Sequence, residues 1–191
     1  MDTTYTIHPF NPDSKEPTTA TDIATILDEA KKASQLLNSV IFVDVQAGCY
    51  HFGRREIIFV PKGVHLRGAG EVILITKGGI TVLDGAIISN MTIKAGSDIA
   101  VVINHDGHVI DCNIYFSGNF GIKIYESENA VVKGCRIEIR TNFKERLGFG
   151  GPYLVNALQI CFKNNTSIFP QVTNNYFDVK YPGPLMDTCA I

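Results

Sequence analysis

Three residues able to exchange protons, Asp84, His105 and Glu126, stand 21 residues apart each time. Equal spacing of that size places residues at the same point of successive structural repeats. Stacked at the inter-strand distance of about 4.8 Å, the imidazole would lie between two carboxylates about 10 Å apart. That separation is near the upper edge of the roughly 6.5–9.5 Å of an inverting glycosidase pair, and too long for a retaining pair at about 5 Å. An imidazole flanked by carboxylates has its protonated form favoured, which suits a general acid. Charged residues also gather at turns because water solvates them there, so the spacing alone leaves both readings open.

The elements that would carry the trio come from a second periodicity. Ile80–Val82, Val101–Ile103, Ile122–Ile124 and Leu158–Ile160 are short alternating apolar runs, 21, 21 and 36 residues apart. By alternation, Thr81, Val102, Lys123 and Gln159 form one outward column, and Leu83, Asn104, Tyr125 and Cys161 the next. Four further stretches, 86–93, 108–114, 131–137 and 171–177, repeat with Asn90, Asp111, Gly134 and Asn174 at one equivalent place. These types accept φ > 0 at least cost, so each marks a tight turn between two strands. The sequence therefore predicts an all-β solenoid whose coils each hold three short strands.

Around this core, the first 20 residues carry Pro9, Pro12 and Pro17 and read as an extended or irregular arm. Residues 21–38 predict a helix, with Thr21 as N-cap and Ile23, Ile26, Leu27, Ala30, Ala33 and Leu37 along one face. An open solenoid end exposes its interior, so this helix is expected to plug the N-terminal end. Residues 39–180 then form about six coils, roughly 30 Å tall, and 181–191 a tail. The extra 15 or so residues of the last step fall in 140–156, a long outward loop of the kind that carries function on rigid scaffolds. Its Arg140, Lys144 and Arg146 are suited to an anionic sugar, and Phe143, Phe149 and Tyr153 to ring stacking; an oligomer contact fits the same loop.

The chain of 191 residues is 45% hydrophobic and 19% charged, ordinary for one globular domain. A net charge of −2 and a pI near 6.2 argue against nucleic acid. The N-terminal segment has no apolar run, so neither a signal peptide nor a membrane span is expected, and the location is cytoplasmic or a virion. Five cysteines cannot all pair within the chain. Cys112 and Cys135 share a column close enough for a bridge, although buried free thiols are the better reading. No spacing suggests zinc and no cofactor is expected. Ca2+ needs about six or seven oxygens, and Asp84, Asp106, Glu126 and Glu128 are scattered over different coils.

The segment Gly48-Cys-Tyr50, Pro61-Lys-Gly63-Val64 and Leu66-Arg-Gly68-Ala-Gly70, following a short helix, resembles the opening of the pectate-lyase-like (pectin-lyase-like) right-handed parallel β-helix superfamily. The resemblance covers about residues 20–180. It implies a turn at Gly48–Tyr50 and a saccharide groove on the outward face of the first strands, flanked by the corner loops. Lys123, Tyr125, Gln159, Asn104, Arg140, Lys144 and Arg146 would then hold the sugar, with Asp84, His105 and Glu126 catalytic. The superfamily's lyases and polygalacturonase-like hydrolases present aspartates where this chain has Lys123 and Tyr125, so neither mechanism transfers, and a lyase, glycosidase or fructotransferase-like activity stays open. So do two alternatives: a non-catalytic virion or phage structural or receptor-recognition protein, as a homotrimer, and a scaffold without sugar specificity.

Overall fold

The computed structural model describes residues 4–8, 20–53, 56–140, 156–161 and 170–178. The chain begins with β1 (Thr4–Ile7), α1 (Ala20–Leu37), β2 (Ile41–Phe52), β3 (Ile58–Val60) and β4 (Val64–Thr76). Three coils follow: β5 (Ile80–Val82), β6 (Ile87–Ser89) and β7 (Thr92–Ala95); β8 (Ile99–Asn104), β9 (His108–Ile110) and β10 (Asn113–Phe116); β11 (Phe120–Tyr125), β12 (Val131–Lys133) and β13 (Arg136–Ile139). A last set comprises β14 (Asn156–Cys161), β15 (Gln171–Thr173) and β16 (Tyr176–Asp178).

Every pairing among the described strands is parallel and joins one coil to the next, so the protein is a parallel β-solenoid with an N-terminal helix. A front sheet of five strands runs β14-β11-β8-β5-β3, and the remaining eleven form a back sheet. Five stacked front strands enclose four full turns, fewer than the six coils expected. The difference lies at the N-terminal end, where β1 and β2 pair only with the back sheet.

Alternation explains the core. Leu66, Ile88, Val109 and Val132 form one inward column in register, and Leu74, Ile93, Ile114 and Ile137 another, all at most 1% exposed. Each fully buried aliphatic side chain of this kind contributes roughly 1.5–3 kcal/mol over leaving it in water. Cys112 and Cys135 lie buried as free thiols. Burial pushes both thiols above their ordinary range, which keeps them protonated and inert.

The predicted turn column is left-handed throughout: Asn90 has φ 55°, Asp111 51°, Gly134 67° and Asn174 57°. The parallel ladder passes through it, because the N–H groups of Asn90, Asp111 and Gly134 donate to Ile110, Lys133 and Thr173 carbonyls one coil on. In β4 the equivalent position is Gly68, where a Cβ would sit 2.1 Å from the Asn90 carbonyl oxygen. That contact accounts for the motif glycine.

Three local expectations change. Gly48–Tyr50 is no turn: β2 continues through it with a register irregularity between Gln46 and Gly48, and the buried Tyr50 hydroxyl donates to the Gln46 carbonyl at 2.9 Å. The arm, expected to be extended or irregular, is extended at β1, which pairs parallel to β2. The helix begins at Ala20, so Thr21 lies in its first turn rather than at its cap. Ile23, Leu27 and Ala30 are buried as expected, and α1 packs on β2 and β3 at the N-terminal end of the stack. Leu37, expected on that face, is 52% exposed; Ser34 turns inward instead, its hydroxyl donating to the Ser39 carbonyl that closes the helix. The prolines of the arm, most of the 140–156 loop, Cys189 and the 181–191 tail lie outside the described residues.

Candidate functional site

The front strands hold the predicted outward columns in register. Thr81, Val102, Lys123 and Gln159 align, as do Asn104, Tyr125 and Cys161. The structure adds Phe59 at the head of the first column, 55% exposed.

Just past these strands the chain turns, and this second corner is where the proton-exchanging residues stand. His105 has φ 54° and Glu126 φ 47°. Their N–H groups donate to the carbonyls of Tyr125 and Cys161 in the following coil, so the ladder again passes through a left-handed residue. Histidine tolerates that region moderately and glutamate poorly. The type pattern that reveals Asn90 and its equivalents is therefore absent here, and the sequence gives no warning of a second left-handed corner. One coil earlier the geometry differs: Gly85 (φ 66°), not Asp84, takes the left-handed conformation. The expected equivalence of three residues thus holds in backbone conformation for His105 and Glu126.

A concavity of about 660 Å³ brings Asp84, His105 and Glu126 together with Asn104 and Tyr125. Lys31, Pro61, Lys62 and Leu83 complete its lining. The two lysines were not anticipated. Lys31 comes from α1, and Lys62 from the turn before β4, where its ammonium donates to the Asp84 carboxylate at 2.7 Å. That bond and the Asp84 charge hold the Lys62 ammonium above its ordinary range. No hydrogen bond or ion pair from a described residue engages the His105 or Glu126 side chains.

The neighbouring corner residue Asp106 is an anchor. It accepts from the Asn129 backbone and side-chain nitrogens, both at 3.1 Å, and from Ser127 at 3.3 Å. The Asn129 side-chain bond is the largest cause holding the Asp106 carboxyl below its ordinary value. Asp106 thereby ties the His105 corner to the Glu126 corner.

Other predicted residues lie elsewhere. Lys123 is folded over the Phe120 and Tyr125 rings, its ammonium 4.8 Å from each centroid, and the interaction with Tyr125 holds it above its ordinary range. Gln159 is three coils from Thr81 in the outward column, with its Oε1 buried and without a hydrogen-bond partner among the described residues. Arg140 does not reach the corner concavity. It follows β13, bonds Glu138 at 3.2 Å and lies 4.5 Å over the Tyr115 ring, because the third-strand end opens onto a different groove. Lys144 and Arg146 are outside the described residues. Among the described residues no group of three or more His, Cys, Asp or Glu side chains could hold a metal ion, and no helix is long and apolar enough to cross a membrane.

The fold and corner define a parallel β-solenoid with a charged concavity on one edge of its front sheet. No family model matches the sequence, and no curated protein or solved structure matches it.

Proposed function

We propose that this protein is a carbohydrate-binding and carbohydrate-processing β-solenoid of the pectate-lyase-like kind, with the saccharide seated in the concavity at the second corner. One observation carries the reading: His105 and Glu126 are held in the left-handed region on consecutive coils, facing a concavity of about 660 Å³ with no partner for either side chain among the described residues. Backbone strain of this type persists where the surroundings over-determine it, and it clusters at functional sites. Asn104 and Tyr125 supply an amide and a phenol for sugar hydroxyls, and Tyr125 a ring edge for an apolar sugar face. Asp84, matched by Lys62, forms a charge-compensated wall, which leaves His105 and Glu126 as the acid and base pair.

The test is a glycan array read with the light-scattering mass of the same sample. Saturable binding that falls by about tenfold or more, at least 1.4 kcal/mol, in Asn104→Ala/Tyr125→Ala supports the site. Glu126→Gln should then keep the ligand and stop its turnover. A trimer with no glycan signal would remove this reading in favour of a virion or scaffold protein.

A further inference from the structure

A second groove lies on the opposite corner, where the third strands lead into the next coil. Its volume is about 390 Å³, and its lining includes Lys77, Lys94, Gly96, Tyr115, Ser117 and Arg140. The register explains its shape. Lys94 and Tyr115 are outward neighbours on β7 and β10, one coil apart. At the corner just beyond, Gly96 and Ser117 are the small residues of the middle coils; each donates its N–H to the preceding coil, to Thr76 and Ala95 carbonyls. Lys77 stands one coil before Gly96, and Arg140 one coil after Ser117, its N–H donating to the Phe116 carbonyl. A floor of small residues thus runs between two cations, with Lys94 and the Tyr115 ring along one wall.

Among the described residues the cations of the groove outnumber the carboxylates paired with them. Neither Lys77 nor Lys94 forms an ion pair among the described residues. The carboxylate beside Arg140 is Glu138, 8% exposed at its side chain and shared with Arg136, so two guanidinium groups meet one carboxylate. Asp98, the next acid along the chain, is turned to the Asn119 amide at 2.6 Å and does not line the groove. Arg140 is pre-positioned: one terminal nitrogen holds Glu138 and the guanidinium lies over Tyr115, leaving its other N–H donors unused by Glu138.

We propose that this groove is an oxyanion site for a sulfate or phosphate ester group. Cations converge on it from three coils. A carboxylate has two oxygens to share among them, whereas a tetrahedral ester has three, and Arg140 can take two of these with parallel N–H donors. The site is separate from the second-corner concavity and shares none of its lining residues.

Gly96 provides the test. It is exposed, and a Cβ built on it meets nothing nearer than 3.8 Å, so a side chain there fits the fold and enters the groove. Inorganic sulfate, inorganic phosphate, glucose 6-sulfate and glucose 6-phosphate are titrated at constant ionic strength against a chloride control, with amide chemical shifts as the readout. Thermal shift is unsuitable because sulfate and phosphate stabilise folded proteins by exclusion from their surface. The expected result is saturable movement of the Gly96 and Ser117 amides by at least one of the four, with the tighter ester naming the source. Gly96→Ala should bind within about twofold of the parent, whereas Gly96→Glu and Lys94→Ala should each weaken binding by about tenfold or more. Shifts equal to those in chloride, or undiminished binding in Gly96→Glu, would overturn the proposal. Saccharide binding at the other corner is unaffected in either case, so the two proposals fail independently.

Discussion

Each of the three central coils turns through two left-handed corners, and they differ in what occupies them. At the corner between second and third strands stand Asn90, Asp111, Gly134 and Asn174, types that adopt φ > 0 readily. At the corner after the first strand stand His105 and Glu126, with Asp84 displaced by one residue from the left-handed Gly85. The backbone solution is the same: a left-handed residue whose N–H still reaches the next coil. One corner is filled with the residues that bend most easily. The other retains proton-exchanging side chains where easier ones would fit, and they face an open concavity. A solenoid repeats its backbone along its axis, so corners that obey the local preference and corners that resist it can be compared within one molecule.

The largest effect separating the two corners should come from Gly134→Val. A Cβ there lies 2.0 Å from the Asp111 Oδ1, and φ is 67°. Left-handed strain and the clash together should destabilise the fold by about 2–3 kcal/mol in urea unfolding. A loss under about 0.5 kcal/mol would mean that the stacked corner is not a structural determinant.

Substitutions that swap the corner types come next. Asn90→Ala should lose about 1 kcal/mol and leave saccharide binding intact. Glu126→Gly should leave stability unchanged or raise it by up to about 1 kcal/mol, because relief of φ > 0 exceeds the entropy that glycine adds to the unfolded chain. The same variant should lose turnover. Equal destabilisation by both would erase the contrast between the corners.

The smallest effect is a pH dependence confined to the second corner. Asp106 has its carboxyl lowered in the folded state, so the folded protein holds fewer protons there than the unfolded one. Its stabilising contribution is complete above the ordinary carboxylate value near 3.8 and is lost as pH falls through the lower folded value. Asp106→Asn should therefore lower stability at neutral pH and flatten the acid limb of the stability curve below about pH 4, so that the two proteins converge in acid. An acid limb identical to that of the parent would show that Asn129 and Ser127 do not hold the corner through this carboxylate.

Much of this molecule was legible along the chain. Alternation gave the inward columns, and the spacing of 21 gave the register that aligns Asn104 with Tyr125. Asn90, Asp111, Gly134 and Asn174 announced their corner because backbone preference and residue type coincide there. The helix was readable as an amphipathic stripe, although its last expected apolar residue, Leu37, faces water.

What the sequence determined by itself is the repeat: which residues point inward, which column each occupies, and where a turn uses residues suited to it. These are local properties, written in side-chain type at a fixed period. The tertiary structure decided what lies across a corner from what. Lys62 reaches Asp84 from the preceding turn, Lys31 enters from a helix outside the repeat, and Arg140 folds back over Tyr115 into a groove away from the concavity it was expected to serve. Such contacts depend on how coils stack and on how a non-repeating cap is laid against them, and no period in the chain encodes either. The left-handed conformation of His105 and Glu126 belongs with them, because the ladder between coils imposes it against the preference of the residues themselves.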